Sequence, residues 1–213
     1  MPPGCRCANR DVLQELVPPQ RMFGFMHHVT RVDVDRHCSR LFAKSGYRVA
    51  IIARNANNVN KLAQEINAAG YEAAAFPVKD YAYKTVLGVF DAVRTHKWST
   101  PEKAEVRVAL WNAGSAPFKT FLNVTEEDLA QSLESHVTAT FAFSRQAILT
   151  FQKNEIDSLG RRGTLLFTSA TASLRGNTWT SAFAAGKFAI RALSQSLSKE
   201  FGKENIHVSA QRN

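Results

Sequence analysis

From about Met22 onward, short apolar runs rich in β-branched residues alternate with segments whose apolar residues recur at helical spacing. Two parallel strands can be joined only by a crossover, usually a helix, so this alternation is the mark of βαβ units. It predicts a doubly wound (Rossmann-type) α/β fold, a parallel sheet with helices on both faces. Residues 47 to 53 (YRVAIIA) read as a buried strand. Val59, Leu62, Ala63 and Ile66 then mark its crossover helix, with Gly70 as the stop signal. A weaker strand at 72 to 78 leads into a helix with Val86, Phe90 and Val93 inward, and residues 106 to 111 (VRVALW) form the next strand.

Two long helices dominate the second half. Thr125 and Asp128 have the spacing of a capping box, after which Leu129, Leu133, Val137, Phe141, Ile148 and Phe151 mark one side of a helix running to about Lys153. Residues 163 to 169 (GTLLFTS) form a strand, and Phe183, Gly186, Ile190, Leu193, Leu197 and Phe201 line a second long helix closed by Gly202. A last strand begins at Ile206.

A chain of 213 residues fits one domain, here 21 to 213, preceded by a mobile, proline-punctuated tail at 1 to 20. The net charge of +9 is scattered and forms no run of five basic residues, which argues against nucleic acid as a partner. Cys5, Cys7 and Cys38 have no metal-ligand spacing, so no metal is expected, and the odd count suits the reducing cytoplasm. No apolar run approaches the roughly eighteen residues of a membrane span, and the N-terminal stretch has no apolar core like that of a secretory signal.

Three strings, taken in order over residues 30 to 210, carry a family likeness: ARN at 53 to 55, NAG at 112 to 114, and SATASLRGNTWTSAFAAGK at 169 to 187. Together with the strand and helix order, they resemble the short-chain dehydrogenase/reductase family. The resemblance implies an NAD(P)(H)-dependent oxidoreductase acting on a carbonyl or alcohol of a small molecule. In the family a glycine-rich turn after the first strand brings the cofactor's pyrophosphate to a helix N-terminus. Here Val29, Thr30 and residues 40 to 43 fit that region, but Asp33 and Asp35 stand where glycines belong. Two carboxylates would repel the pyrophosphate, which argues against tight cofactor binding.

Arg54 occupies the position at which the family discriminates between cofactors. A guanidinium there pairs with a 2′-phosphate, so the resemblance points to NADP(H) over NAD(H). It also assigns Asn55, Asp80, Tyr81, Asn112, Ala113 and Gly114 to the cofactor's adenosine end. Ordinary turn chemistry explains Asp80, Tyr81 and the Asn-Ala-Gly string equally well.

The family's reaction needs a tyrosine, a lysine four residues on, a serine and an asparagine. Lys187 matches the lysine, where it would also bind the nicotinamide ribose, but the tyrosine position holds Phe183, which has no proton to give. Thirteen residues before Phe183 stands Ala170, flanked by Ser169 and Thr171 as substitutes for the serine. His136 takes the asparagine position, and an imidazole there could deliver a proton. Two readings follow. One is an active NADP(H)-dependent enzyme with the proton from His136 or solvent; the other is a catalytically silent relative kept for binding or dimerisation. The family likeness further implies a homodimer through the helices at about 126 to 153 and 178 to 201. It also implies a C-terminal truncation that leaves the last strand unpaired and the pocket open.

Overall fold

The computed structural model describes residues 21–27, 32–99, 105–115 and 117–212. In chain order the elements are β1 (Arg21–His27), α1 (Val32–Lys44), β2 (Arg48–Ala53), α2 (Ala56–Ala68), β3 (Ala73–Pro77), α3 (Tyr83–Thr95) and β4 (Glu105–Trp111). There follow α4 (Glu126–Leu133), a π-helical turn (Glu134–Thr138), α5 (Ala139–Phe151), β5 (Gly163–Ser169), α6 (Ser181–Phe201) and β6 (Ile206–Arg212). The strands form one sheet in the order β3-β2-β1-β4-β5-β6, every neighbour parallel. The expected doubly wound α/β architecture is present.

The alternation of side chains along each strand divides the core in two. Val49, Ile51, Ala53, Val108, Leu110 and Leu166 face α1 and α2. Ala50, Ile52, Ala109, Trp111, Leu165 and Phe167 face α3, α5 and α6 on the other side. Both faces of the inner strands are covered, which is why they read as continuous apolar runs and not as alternating ones. The apolar face expected of α2 is the buried one, Val59, Leu62, Ala63 and Ile66, and Gly70 follows it at φ +83°.

Three sequence expectations change. The long helix after Thr125 begins with the capping box, but it is interrupted by the π turn. Its buried side also differs. Leu129, Leu133 and Phe141 point outward, whereas Ser132, Ser135, His136, Ala139, Thr140 and Ser144 are buried with Ile148 and Phe151. Apolar periodicity missed this because the inward face is built of small and polar residues. The last strand is not unpaired, since β6 lies in register with β5 from Gly163↔Ile206 to Ser169↔Arg212. The tail at 1 to 20 and residues 28 to 31 fall outside the described residues. So do the side chains of Asp33 and Asp35, although their backbone lies in the first turns of α1.

Candidate active site

In an open parallel sheet the carboxyl ends of the strands border a crevice where the strand order reverses, here between β1 and β4. On the β2 side, Arg54 is exposed and its guanidinium carbon lies 5.1 Å from the centre of the Tyr81 ring. Tyr81 is buried and meets Trp111 edge-on at 6.0 Å, which places Arg54, Tyr81 and the end of β4 side by side. Asn55 caps α2 by accepting from the Asn58 amide at 3.0 Å. Asp80 accepts from Thr85 at 2.5 Å and from the Ala82 amide at 3.1 Å. The Thr85 bond is the chief reason its carboxyl titrates below the ordinary value.

On the β5 side the polar groups are buried. Lys187 projects from α6 and donates to the Thr168 carbonyl at 2.8 Å, with its ammonium 5.7 Å from the Phe183 ring. Burial lowers its pKa to about 8, because removing an ammonium from water disfavours the charged form. Ser169 and Ser173 are also buried, their hydroxyls 2.7 Å apart. Ser173 gives its proton to the Ala170 carbonyl, so Ser169 is the donor between them. Thr171 is exposed.

His136 lies in the π turn and is fully buried. Its Nδ1 is 2.9 Å from the Ser132 carbonyl, which can only accept, so Nδ1 carries a proton. Ser132 Oγ, 3.2 Å from Nδ1, donates to the Ala182 carbonyl at 2.9 Å and ties the end of α4, just before the turn, to α6. The Ser115 amide donates to Ser135 Oγ at 3.0 Å and ties the same turn to the loop after β4. Two glycines make room for the imidazole. A Cβ on Gly114 would lie 2.4 Å from Nε2, and one on Gly186 would lie 2.7 Å from Cγ. The Phe183 ring stands edge-on to the imidazole at 5.6 Å and meets the Phe118 ring at a tilt at 5.8 Å.

The structure therefore brings Lys187, Phe183, His136 and Gly114 into one packed group. It sets Arg54, Tyr81 and Trp111 into another, and the half-buried Asn112 follows directly on Trp111. Asn55 is engaged in a helix cap and Asp80 in a local turn before α3. Residues 35–211 match the family model described as short chain dehydrogenase. The chain belongs to the short-chain dehydrogenase/reductase family. It is 23% identical over 175 residues to a 3-oxoacyl-[acyl-carrier-protein] reductase of Bos taurus, covering 82% of this chain and 68% of the relative. The first curated relatives are spanned over only 36% to 68% of their length. A crystal structure of a short-chain dehydrogenase from Rhodopseudomonas palustris superposes with a TM-score of 0.77 at 26% identity, over 91% of this chain and 85% of that one. A metagenomic short-chain oxidoreductase in complex with NADP superposes with a TM-score of 0.78 at 18% identity, over 91% of this chain and 82% of that one.

The donor set of this member fits a dinucleotide at its ribose ends. The Lys187 ammonium has three donors, and Thr168 takes one. A buried cation with spare donors is a costly group to keep without acceptors, and a ribose diol supplies two. Sequence reasoning missed Ser132, Ser173, Thr168 and Gly186 as supports of this group. Gly186 alone left a signal, as a glycine inside a strong helical pattern, which marks a close packing contact.

Proposed function

We propose that this chain is an NADP(H)-dependent oxidoreductase acting on a carbonyl or alcohol of a small molecule. Family membership supports the reaction class, and the observation that carries the reading is the buried Lys187 ammonium at the strand ends with donors to spare. In this reading Lys187 holds the nicotinamide ribose hydroxyls and Arg54 the 2′-phosphate. Tyr81, Asp80 and Asn55 border the adenosine, and Asn112, Ala113 and Gly114 pass beside its ribose. The cofactor supplies the hydride; the protein supplies binding and orientation.

Proton delivery is the weak point of this member. Phe183 at the tyrosine position has no proton, the Ser169 hydroxyl is donated to Ser173, and His136 is sealed between Gly114 and Gly186. Exposed Thr171 is the hydroxyl left to hold a substrate oxygen, and the proton comes from solvent. Phe183 also favours the second reading, a silent relative that keeps the cofactor crevice for binding. The outward Leu129, Leu133, Phe141 and Phe188 support pairing of two copies along α4 to α6 as a homodimer. Among the described residues no helix is long and apolar enough to cross a membrane. We place the protein in the cytoplasm on its cysteine usage.

Calorimetric titration with NADPH and NADH tests the reading. Submillimolar binding of NADPH with weaker NADH is expected. Absence of any heat with either would leave only a scaffold, and NADPH binding with no turnover of any carbonyl would select the silent relative.

A further inference from the structure

The loop after β4 and the turn before α6 are joined by a backbone hydrogen bond from the Lys119 amide to the Trp179 carbonyl at 3.1 Å. Around that bond the chain exposes large apolar side chains: Phe118 at 60%, Phe121 at 76%, Leu122 at 92% and Trp179 at 61%. Phe118 stacks at a tilt on Phe183, which in turn faces Lys187 and His136, so this apolar rim is continuous with the candidate active site.

Trp179 is held there at a conformational cost. Its φ is +65°, a left-handed conformation that bulky residues rarely adopt. The flanking turn is closed by Thr180 Oγ1, which accepts from the Asn177 amide at 3.0 Å and donates to the Asn177 carbonyl at 2.9 Å. Backbone strain of this kind persists where the surroundings over-determine it, and it gathers at ligand sites. The backbone that carries the indole is thus fixed, and the indole itself is turned to solvent.

The lysine within this rim is already paired. Lys119, between Phe118 and Phe121, is paired with Asp128 at 2.6 Å. That carboxylate also receives the Thr125 amide and hydroxyl, each at 3.0 Å. A sugar acid reaching the rim would find its cation already committed, and a polyol would have to give up water to aromatic faces.

We infer that the crevice takes a flat apolar substrate, an aromatic or alicyclic ketone or the matching alcohol, held between Phe118 and Trp179. The inference rests on the proposed oxidoreductase reading but is testable apart from it, because no residue of the rim is among those assigned to the cofactor.

Calorimetric titration with 2-acetonaphthone, xylitol and gluconate, each with and without saturating NADPH, is the test. Saturable binding of the ketone is expected in both conditions, with neither polar compound binding. Phe118→Leu and Trp179→Gly should each weaken the ketone by about fivefold, the size of one aromatic contact, without lowering Tm. Glycine is chosen at 179 because it adopts positive φ without strain. Xylitol or gluconate binding as well as the ketone would overturn the inference. So would ketone affinity indifferent to both substitutions, or substitutions that alter sedimentation and leave ketone binding intact, which would make the rim a contact between copies. Ketone binding without NADPH binding would uphold this inference while removing the cofactor reading. NADPH binding without ketone binding would do the reverse.

Discussion

At the ends of β2 and β3, the polar residues Arg54, Asn55 and Asp80 reach solvent and close local turns or lean on one aromatic face. At the ends of β4 and β5, Ser132, His136, Ser169, Ser173 and Lys187 are all buried and tie α6, the π turn and the loop after β4 to one another. The first side can change a residue and keep its shape. The second cannot, because its buried polar groups bond across neighbouring elements and the space around His136 is set by glycines. Ligand affinity is thus separable from stability on one side of the crevice and entangled with it on the other.

The sharpest break between the two sides is Gly186→Ala. An added Cβ would meet His136 Cβ, Cγ and Nδ1 at 2.7 Å each; that Nδ1 is held by the Ser132 carbonyl, and Gly114 lies against Nε2 at the far edge of the ring. Neither neighbour has room to yield, so a loss of about 3 kcal/mol or more is expected by urea unfolding. Removing the whole His136 side chain as well, its Cβ included, should recover much of that loss, which a double-mutant cycle with His136→Gly reads directly. Strict additivity in the cycle would mean that His136 is not the obstacle and that the buried side is looser than described.

Next in size is the pH dependence of Lys187. Burial moves its pKa from 10.5 down to about 8, so below pH 8 the lysine is protonated in both the folded and unfolded chain and the burial penalty is fully present. Between pH 8 and 10.5 the unfolded chain holds more protons, so stability rises with pH, by roughly 3 kcal/mol in all for the protein without cofactor. Lys187→Met should be more stable than the parent at pH 7 and lack this rise. A parallel pH profile for the two proteins would show that the ammonium is not desolvated.

Much of the fold was legible because strands buried on both faces write continuous apolar runs, and α2 carries its inward residues at plain helical spacing. The capping box at Thr125 was legible for the same local reason. The helix that follows it was misread on which side is buried, since its inward face is built from Ser132, Ser135, His136, Thr140 and Ser144. Their hydroxyls donate to backbone carbonyls, mostly one turn back on the same helix, so they can be buried where a hydrophobic pattern does not look. The site followed the same rule. Lys187 and Phe183 were placed by spacing along one helix, whereas the dependence of His136 on Gly114 and Gly186 joins residues distant in sequence and becomes visible only in three dimensions.

The smallest expected effect on stability belongs to Arg54→Ala, and it bears on the exposed side. The guanidinium is solvent-exposed and lies over the Tyr81 face, so its removal should change unfolding free energy by less than about 0.5 kcal/mol. Its effect on binding should be larger and selective, because a 2′-phosphate loses its charge-assisted partner while a free ribose hydroxyl loses little. Affinity for NADPH is expected to fall about tenfold, equivalent to roughly 1.4 kcal/mol, with NADH unchanged. Equal losses for both cofactors would assign Arg54 to general electrostatic attraction. A large loss of stability would show instead that Arg54 supports Tyr81 and Trp111 from outside, and the two sides of the crevice would then differ less than their burial suggests.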